Sequence, residues 1–187
     1  IMKTVVVDDW LMKQISRGNK ESFKMLVNRN QEYVLRIAYR FLGNWQDSED
    51  AAQEVFLKLF INAKKYKSQG KFHAFIARVT TNECLNRLRR NKHLLHLEDE
   101  FVEVSKYSSP DKIYEQNELK EDIQEALVQL PERQRIAFLM KIYGNFSYTE
   151  IGKNLGCSRI AIEGLIFRAR QKLQQKLKPL LKEKWSI

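Results

Sequence analysis

The chain has 187 residues, enough for one or two compact domains, with 43% hydrophobic residues, 30% charged residues, and only seven Gly and three Pro. That profile favours helices over sheets and leaves no apolar run near the roughly 18 residues needed to span a bilayer. The net charge is +10, with a sequence pI near 9.6, which favours a polyanionic partner: DNA, RNA or an acidic membrane surface. The stretch Ile1–Val7 is too short and too weakly basic to be a secretion signal. Cys84 and Cys157 stand far apart with no CxxC and no nearby His pair, which disfavours a structural zinc site and suits a reducing cytoplasm.

The charge is unevenly placed. Residues 1–93 hold 18 Lys and Arg against 9 Asp and Glu, residues 94–118 hold 2 against 7, and residues 119–187 hold 13 against 7. Two basic blocks therefore flank an acidic connector. By itself this fits two domains with solvated charged faces.

In chain order, residues 8–17 form a short helix and Gly18-Asn19 a turn. From Glu21 to Leu42, Phe23, Leu26, Val27, Val34, Ile37, Ala38 and Phe41 recur at helical spacing, and Gly43-Asn44 ends the helix. The next helix starts near Asp47 or Ser48, both able to cap free N–H groups, and turns Ala52, Val55, Phe56, Leu59 and Phe60 inward. A polar stretch from Asn62 to Gly70 follows. A helix then runs from Phe72 to Arg90 with Phe72, Phe75, Ile76 and Val79 inward. Leu94–Gln116, with Glu98, Asp99, Glu100, Glu103 and Ser108-Ser109-Pro110, reads as a linker with little fixed structure. Helices resume at Asp111–Leu130 and from Pro131 to Tyr143, where proline suits a first turn. Gly144-Asn145 is a turn.

The most specific pattern lies at Tyr148–Leu173. Ser147-Tyr148-Thr149-Glu150 has the form of a capping box. Ile151 and Leu155 point inward, and Gly152 sits where bulk would push a second helix away. Gly156 suits a turn that needs positive φ, Cys157 is the small plug of that turn, and Ser158 can cap the next helix. Ile162 and Leu165 complete the buried face. Together these make a helix-turn-helix, with a chance αα-hairpin as the bland alternative. Its second helix would enter the major groove with Arg159, Ile160, Glu163, Gly164, Phe167 and Arg168. Arginine can reach guanine or phosphate, and Glu163 a cytosine amino group. Arg170 and Lys172 suit phosphates, which add affinity without sequence information.

A second nucleic-acid surface lies in the first block. Arg78, Asn82, Asn86 and Arg89 share a stripe, Arg87, Arg90 and Lys92 add charge, and the preceding loop offers Lys64, Lys65, Tyr66 and Lys67. Basic groups with polar readers and aromatics suit single-stranded DNA, and a solvated face over an aromatic core fits equally well. By contrast Asp47, Glu49, Asp50 and Glu54 cluster near a helix N-terminus. There they complement the helix dipole or form a docking face for a basic partner.

These residues resemble the extracytoplasmic-function (ECF) group of bacterial sigma factors, and the Ala161–Phe167 run looks most like its Bacteroidetes members. The run Asp47-Ser48-Glu49-Asp50-Ala51-Ala52-Gln53-Glu54-Val55-Phe56 is similar to that family's region 2.2, and Phe72–Asn82 is similar to its region 2.4. Leu130-Pro131-Glu132-Arg133-Gln134-Arg135 resembles the opening of region 4, and Phe167-Arg168-Ala169-Arg170 its close. The resemblance implies an all-α protein of two small helical domains, residues 8–93 (region 2) and 119–178 (region 4), joined by a flexible acidic linker at 94–118. It implies a transcription initiation factor and not an enzyme, without cofactor or metal, acting in the cytoplasm. Its partners would be core RNA polymerase, promoter DNA and an anti-sigma factor, with no membrane insertion. Asp47, Glu49, Asp50, Gln53 and Glu54 would meet the clamp helices of the largest polymerase subunit, and region 4 the flap of the second-largest. The Asn62–Lys71 loop with Arg78, Asn82, Asn86 and Arg89 would hold the melted −10 strand. Arg159, Ile160, Glu163, Gly164, Phe167, Arg168 and Arg170 would meet the −35 element, and the linker would thread the RNA exit path. Phe75 stands where the family usually has Trp, and Glu163 and Leu165 where Arg is frequent, so the −35 sequence does not carry over. A stand-alone helix-turn-helix regulator with a ligand-sensing first domain is the alternative. A nucleic-acid enzyme lacks any phosphate loop, metal cluster or nucleophile–base pairing in the sequence, and His73, His93 and His96 read as surface or linker residues.

Overall fold

A computed structural model describes residues 2–95 and 118–184, with side chains over 7–90 and 122–179. The described residues are all-α. Four helices, α1 (Met2–Ile15), α2 (Lys20–Leu42), α3 (Trp45–Ile61) and α4 (Phe72–Leu95), belong to one compact unit. Four more, α5 (Glu118–Val128), α6 (Glu132–Ile142), α7 (Tyr148–Leu155) and α8 (Arg159–Lys184), belong to a second.

Caps set the boundaries of the first unit. The Asn19 side chain accepts from the Ser22 N–H at 2.9 Å and starts α2. Gly43 ends α2 in the left-handed region at φ 68°, donating its N–H to the Tyr39 carbonyl. Asn44 then caps α3, its side chain accepting from the Asp47 N–H at 3.0 Å. The expected cap at Asp47 or Ser48 is thus corrected. The left-handed turn at Gly43 puts Asn44 directly in cap position, and Asp47 falls in the first turn.

The core of this unit is built from Leu11, Met12 and Ile15 of α1, Leu26 and Val34 of α2, Val55, Phe56 and Leu59 of α3, and Phe72 and Ile76 of α4. Helix α1 is also held by polar contacts. Its buried Asp8 accepts from Arg29 Nε at 2.8 Å, and the adjacent Asp9 accepts from the Tyr66 and Ser68 hydroxyls, each at 2.7 Å. Two neighbouring carboxylates therefore tie α1 to α2 and to the segment that follows α3. Cys84 lies fully buried in α4, and burial holds its thiol protonated up to about 12.

In the second unit, α5 packs on α8, α6 on α7 and α8, and α7 on α8. The buried side chains include Leu127, Leu130, Ile136, Leu139, Met140, Phe146, Ile151, Ile162 and Ile166. Most of the stretch expected as an acidic linker, residues 96–117, lies outside the described residues. So does the start of the helix expected from Asp111. Residues 94 and 95 continue α4, and residue 118 begins α5.

Candidate nucleic-acid interface

The turn between α7 and α8 is fixed by short-range chemistry. Ser147 Oγ accepts from the Glu150 N–H at 3.2 Å, while Glu150 Oε2 accepts from the Ser147 N–H at 2.8 Å. Both halves of the capping box are present. Gly156 adopts φ 62°. A Cβ on Gly152 would meet the Cys157 carbonyl oxygen at 2.6 Å, so only glycine allows the turn to fold back onto α7. Ser158 Oγ accepts from the Ala161 N–H at 3.2 Å and caps α8. Arg133 of α6 completes the turn: its Nη2 donates to the Leu155 carbonyl at 2.7 Å and lies 3.0 Å from Cys157 Sγ. Sequence reasoning gave Arg133 no such role, because the two ends of this contact lie 22 residues apart.

Helix α8 turns Ile162, Ile166, Ala169 and Leu173 inward. Leu165, expected in the buried face, is only half-buried. The inward stripe steps by four, three and four residues from Ile162, which selects Ile166 and leaves Leu165 at its edge. On the opposite side Ile160 is 80% exposed and Phe167 60% exposed. Arg159 Nε donates to Glu163 Oε1 at 3.0 Å, one turn along. The Arg168 guanidinium folds over Gly164, 3.5 Å from where a Cβ would stand. Arg170 and Lys172 are exposed on the flank.

In the first unit, Arg78, Asn82, Asn86 and Arg89 are all exposed along α4. Helical geometry puts them within about 80° of one another, centred about 120° around the helix from the inward stripe of Phe72, Ile76, Thr80 and Glu83. Phe75, expected inward, is 38% exposed. It falls beside the Arg78–Asn82 stripe because the inward stripe passes through Phe72 and Ile76 and leaves position 75 to one side. Its ring centroid lies 4.9 Å from that of Tyr66.

Lys64 and Lys65 sit on a single 3-10 turn, Ala63–Lys65, and are exposed, as is Lys67. Tyr66 differs from these lysines. It is half-buried, its ring packs against Phe72 and Phe75, and its hydroxyl is committed to Asp9. Burial and then this hydrogen bond push the phenol well above the ordinary tyrosine range. The loop thus offers exposed lysines at its surface and anchors its aromatic from below.

The acidic residues lie on α3. Glu49, Asp50 and Gln53 are exposed, and Asp47 and Glu54 are half-buried. Asp50 Oδ2 is 4.0 Å from Arg87 Nη1. Arg87 Nε in turn donates to Glu83 Oε1 at 3.1 Å, Arg90 Nη2 reaches the same oxygen at 3.3 Å, and Lys58 Nζ donates to Glu83 Oε2. Glu83 is 2% exposed. Burial opposes its ionisation, yet Lys58 and Arg87 outweigh burial and hold the carboxyl below the usual glutamate value. This buried carboxylate joins α3 to α4, and sequence reasoning missed it. His73 lies 3.7 Å from Asp8 and stacks near Tyr33, while the side chains of Lys92, His93 and His96 lie outside the described residues. Among the described residues, no group of three or more His, Cys, Asp or Glu is placed to hold a metal, and no helix is long and apolar enough to cross a membrane.

A helix-turn-helix in one unit and a basic stripe beside an acidic helix in the other match known proteins over both units. Residues 26–94 match Sigma-70 region 2, and residues 120–173 match Sigma-70 region 4. The two units are thus those of a sigma-70-type transcription initiation factor. The chain is 28% identical to the RNA polymerase sigma-H factor of Pseudomonas aeruginosa over 97% of its own length and all of that protein. It is 27% identical to the ECF RNA polymerase sigma factor SigW of Bacillus subtilis, over 90% of this chain and 96% of that one. A solved structure of the sigma factor RpoE of Bartonella quintana, in complex with the anti-sigma factor NepR, has the same fold. Its TM-score is 0.58 at 24% identity, over 84% of this chain and 98% of that chain. The chain belongs to the ECF sigma factors: it is a DNA-binding factor that directs RNA polymerase in transcription initiation. The stand-alone regulator is not favoured, and sigma factors are not a family of enzymes.

Proposed function

We propose that residues 8–93 dock on core polymerase and read the −10 element, residues 94–118 connect, and residues 119–178 read the −35 element. The observation that carries this reading is the segregation of three surfaces. Carboxylates gather at the start of α3, a basic and amide stripe runs outward along α4, and an exposed recognition face lies on α8.

In this reading Asp47, Glu49, Asp50, Gln53 and Glu54 meet the clamp helices of the largest polymerase subunit, and the second unit meets the flap of the second-largest. Arg78, Asn82, Asn86 and Arg89 hold the melted −10 strand. Phe75, exposed beside them, offers a ring for an unstacked base. Lys64, Lys65 and Lys67 meet its phosphates, and Tyr66 supports the loop from beneath. Arg159, Ile160, Glu163, Gly164, Phe167, Arg168 and Arg170 face the −35 duplex. The factor works in the cytoplasm without catalysis or cofactor. An anti-sigma factor holds it inactive until a signal arrives; a partner of that kind accompanies the Bartonella quintana sigma factor.

Reversing charge at Asp50 and Glu54 together tests the docking assignment. Affinity for core polymerase is expected to fall about tenfold or more, as for charge pairs across an interface. The far-UV circular dichroism should stay unchanged, and the melting temperature should fall by only a few degrees through loss of the part-exposed Asp50–Arg87 contact. Undiminished core binding by this folded variant would refute the docking assignment.

A further inference from the structure

Over residues 159–167 the outward pole of α8 is apolar, with Gln171 following it one turn on, and this bears on which bases the helix reads. Measured from the buried stripe of Ile162, Ile166, Ala169 and Leu173, the opposite pole falls on Ile160, Gly164 and Phe167, within about 40° of one line. Ile160 and Phe167 are among the most exposed large apolar side chains of the described residues, at 80% and 60%. Neither closes a core, and leaving both in water is unfavourable.

The charges lie to either side of this pole. Arg159 is paired with Glu163 on one flank at 3.0 Å. Arg170 lies on the same flank, and Arg168 on the other, its guanidinium folded over Gly164. A helix with an apolar ridge between cationic flanks matches one feature of the major groove. There the 5-methyl of thymine is the apolar mark on a base edge, and phosphates line both rims. The occupant is therefore duplex DNA. A protein groove would not need cations on both sides of the ridge. At Gly164 the Arg168 guanidinium folds in between the two apolar side chains, which therefore act as separate probes. They stand seven residues apart, which is about 10 Å along the helix and about three base steps.

We infer that Ile160 and Phe167 are specificity-determining residues that read thymine methyl groups about three steps apart in the −35 element, while the flanking arginines hold phosphates. This rests on the reading of α8 as the −35 helix. It assigns the polar pair Arg159–Glu163 to positioning.

The experiment uses the full chain with bacterial core polymerase. A duplex library randomised upstream of a fixed melted bubble is selected for binding, and each thymine of the enriched upstream element is then replaced by deoxyuridine, which removes only the methyl. Two positions about three steps apart are expected to lose about three- to fivefold in affinity on replacement, as for one buried methyl group. In Ile160→Ala the loss at one position should vanish, and in Phe167→Ala the loss at the other. Both positions are on the surface, so neither variant endangers the fold, and melting curves verify this. An upstream element that enriches but shows no methyl dependence overturns the inference and leaves the −35 reading intact. Failure to enrich any upstream element would overturn both.

Discussion

Gly152→Val is expected to unfold the turn of the helix-turn-helix and to abolish duplex binding by the second unit. A Cβ at 152 stands 2.6 Å from the Cys157 carbonyl oxygen, a backbone atom that cannot rotate away. The same segment carries the Cys157 N–H bond to the Gly152 carbonyl at 2.9 Å. Forcing volume into a packed site costs about 1–3 kcal/mol, and valine adds two methyl groups beyond the alanine carbon. Alanine recovers about 1 kcal/mol of helix propensity, so Gly152→Ala should be milder. For a unit of this size, a loss near 3 kcal/mol lowers the melting temperature by about 10 °C or more. The check is calorimetry of the full chain beside binding to a −35 duplex. The exposed neighbour variant Lys153→Ala should change neither by much, and binding to core polymerase through the first unit should survive in both. A Gly152→Val variant that melts and binds like the parent would mean the turn is not packed as described.

The second large effect belongs to Glu83. Its buried carboxylate is shared by Lys58, Arg87 and Arg90, so Glu83→Leu removes the buried anion that joins these three cations. Breaking a buried pair costs about 3–5 kcal/mol. Lys58 and Arg90 are partly exposed and can rehydrate, which reduces the expected loss to about 2–3 kcal/mol. The effect depends on pH with a definite sign. The folded carboxyl titrates below the roughly 4.3 of an unfolded glutamate. Its contribution is therefore complete above that pH and is lost as pH falls through the folded value. The stabilities of the parent and Glu83→Gln should differ most near neutrality and converge in acid. A difference that stays constant down to pH 3 would assign the effect to packing and not to charge.

Much of the second unit was legible in the sequence because its signals are local. The capping box spans three residues, and Gly152, Gly156 and Ser158 act within one turn of their partners. The all-α class and most helix boundaries follow from the same short-range periodicity. Apolar readings failed at Phe60, Phe75 and Leu165 for one reason. Each sits beside another apolar residue, Leu59, Ile76 and Ile166, and hydrophobicity alone does not say which of two neighbours faces inward. Packing against the other helices decides it, burying Leu59, Ile76 and Ile166 and leaving Phe60 41% exposed. The polar framework of the first unit was not legible at all. Asp9 meets Tyr66 and Ser68 across 57 and 59 residues, Asp8 meets Arg29 across 21, and Glu83 meets Lys58 across 25. No local pattern marks such pairs, and acidic residues at 8 and 9 look like a solvated start of a helix until the fold buries them. Of the candidate site, the outward α4 stripe and the recognition face were legible as periodicities. The inward anchoring of Tyr66 was not.

This chain gives RNA polymerase its promoter. The most direct test is run-off transcription with purified bacterial core polymerase on a pool of random genomic fragments, with and without the full chain. With the chain present, a small set of discrete transcripts should appear whose start sites share one upstream pair of elements, and core polymerase alone should give none of them. If the chain binds duplex DNA but neither binds core polymerase nor yields any discrete start, it is not an initiation factor.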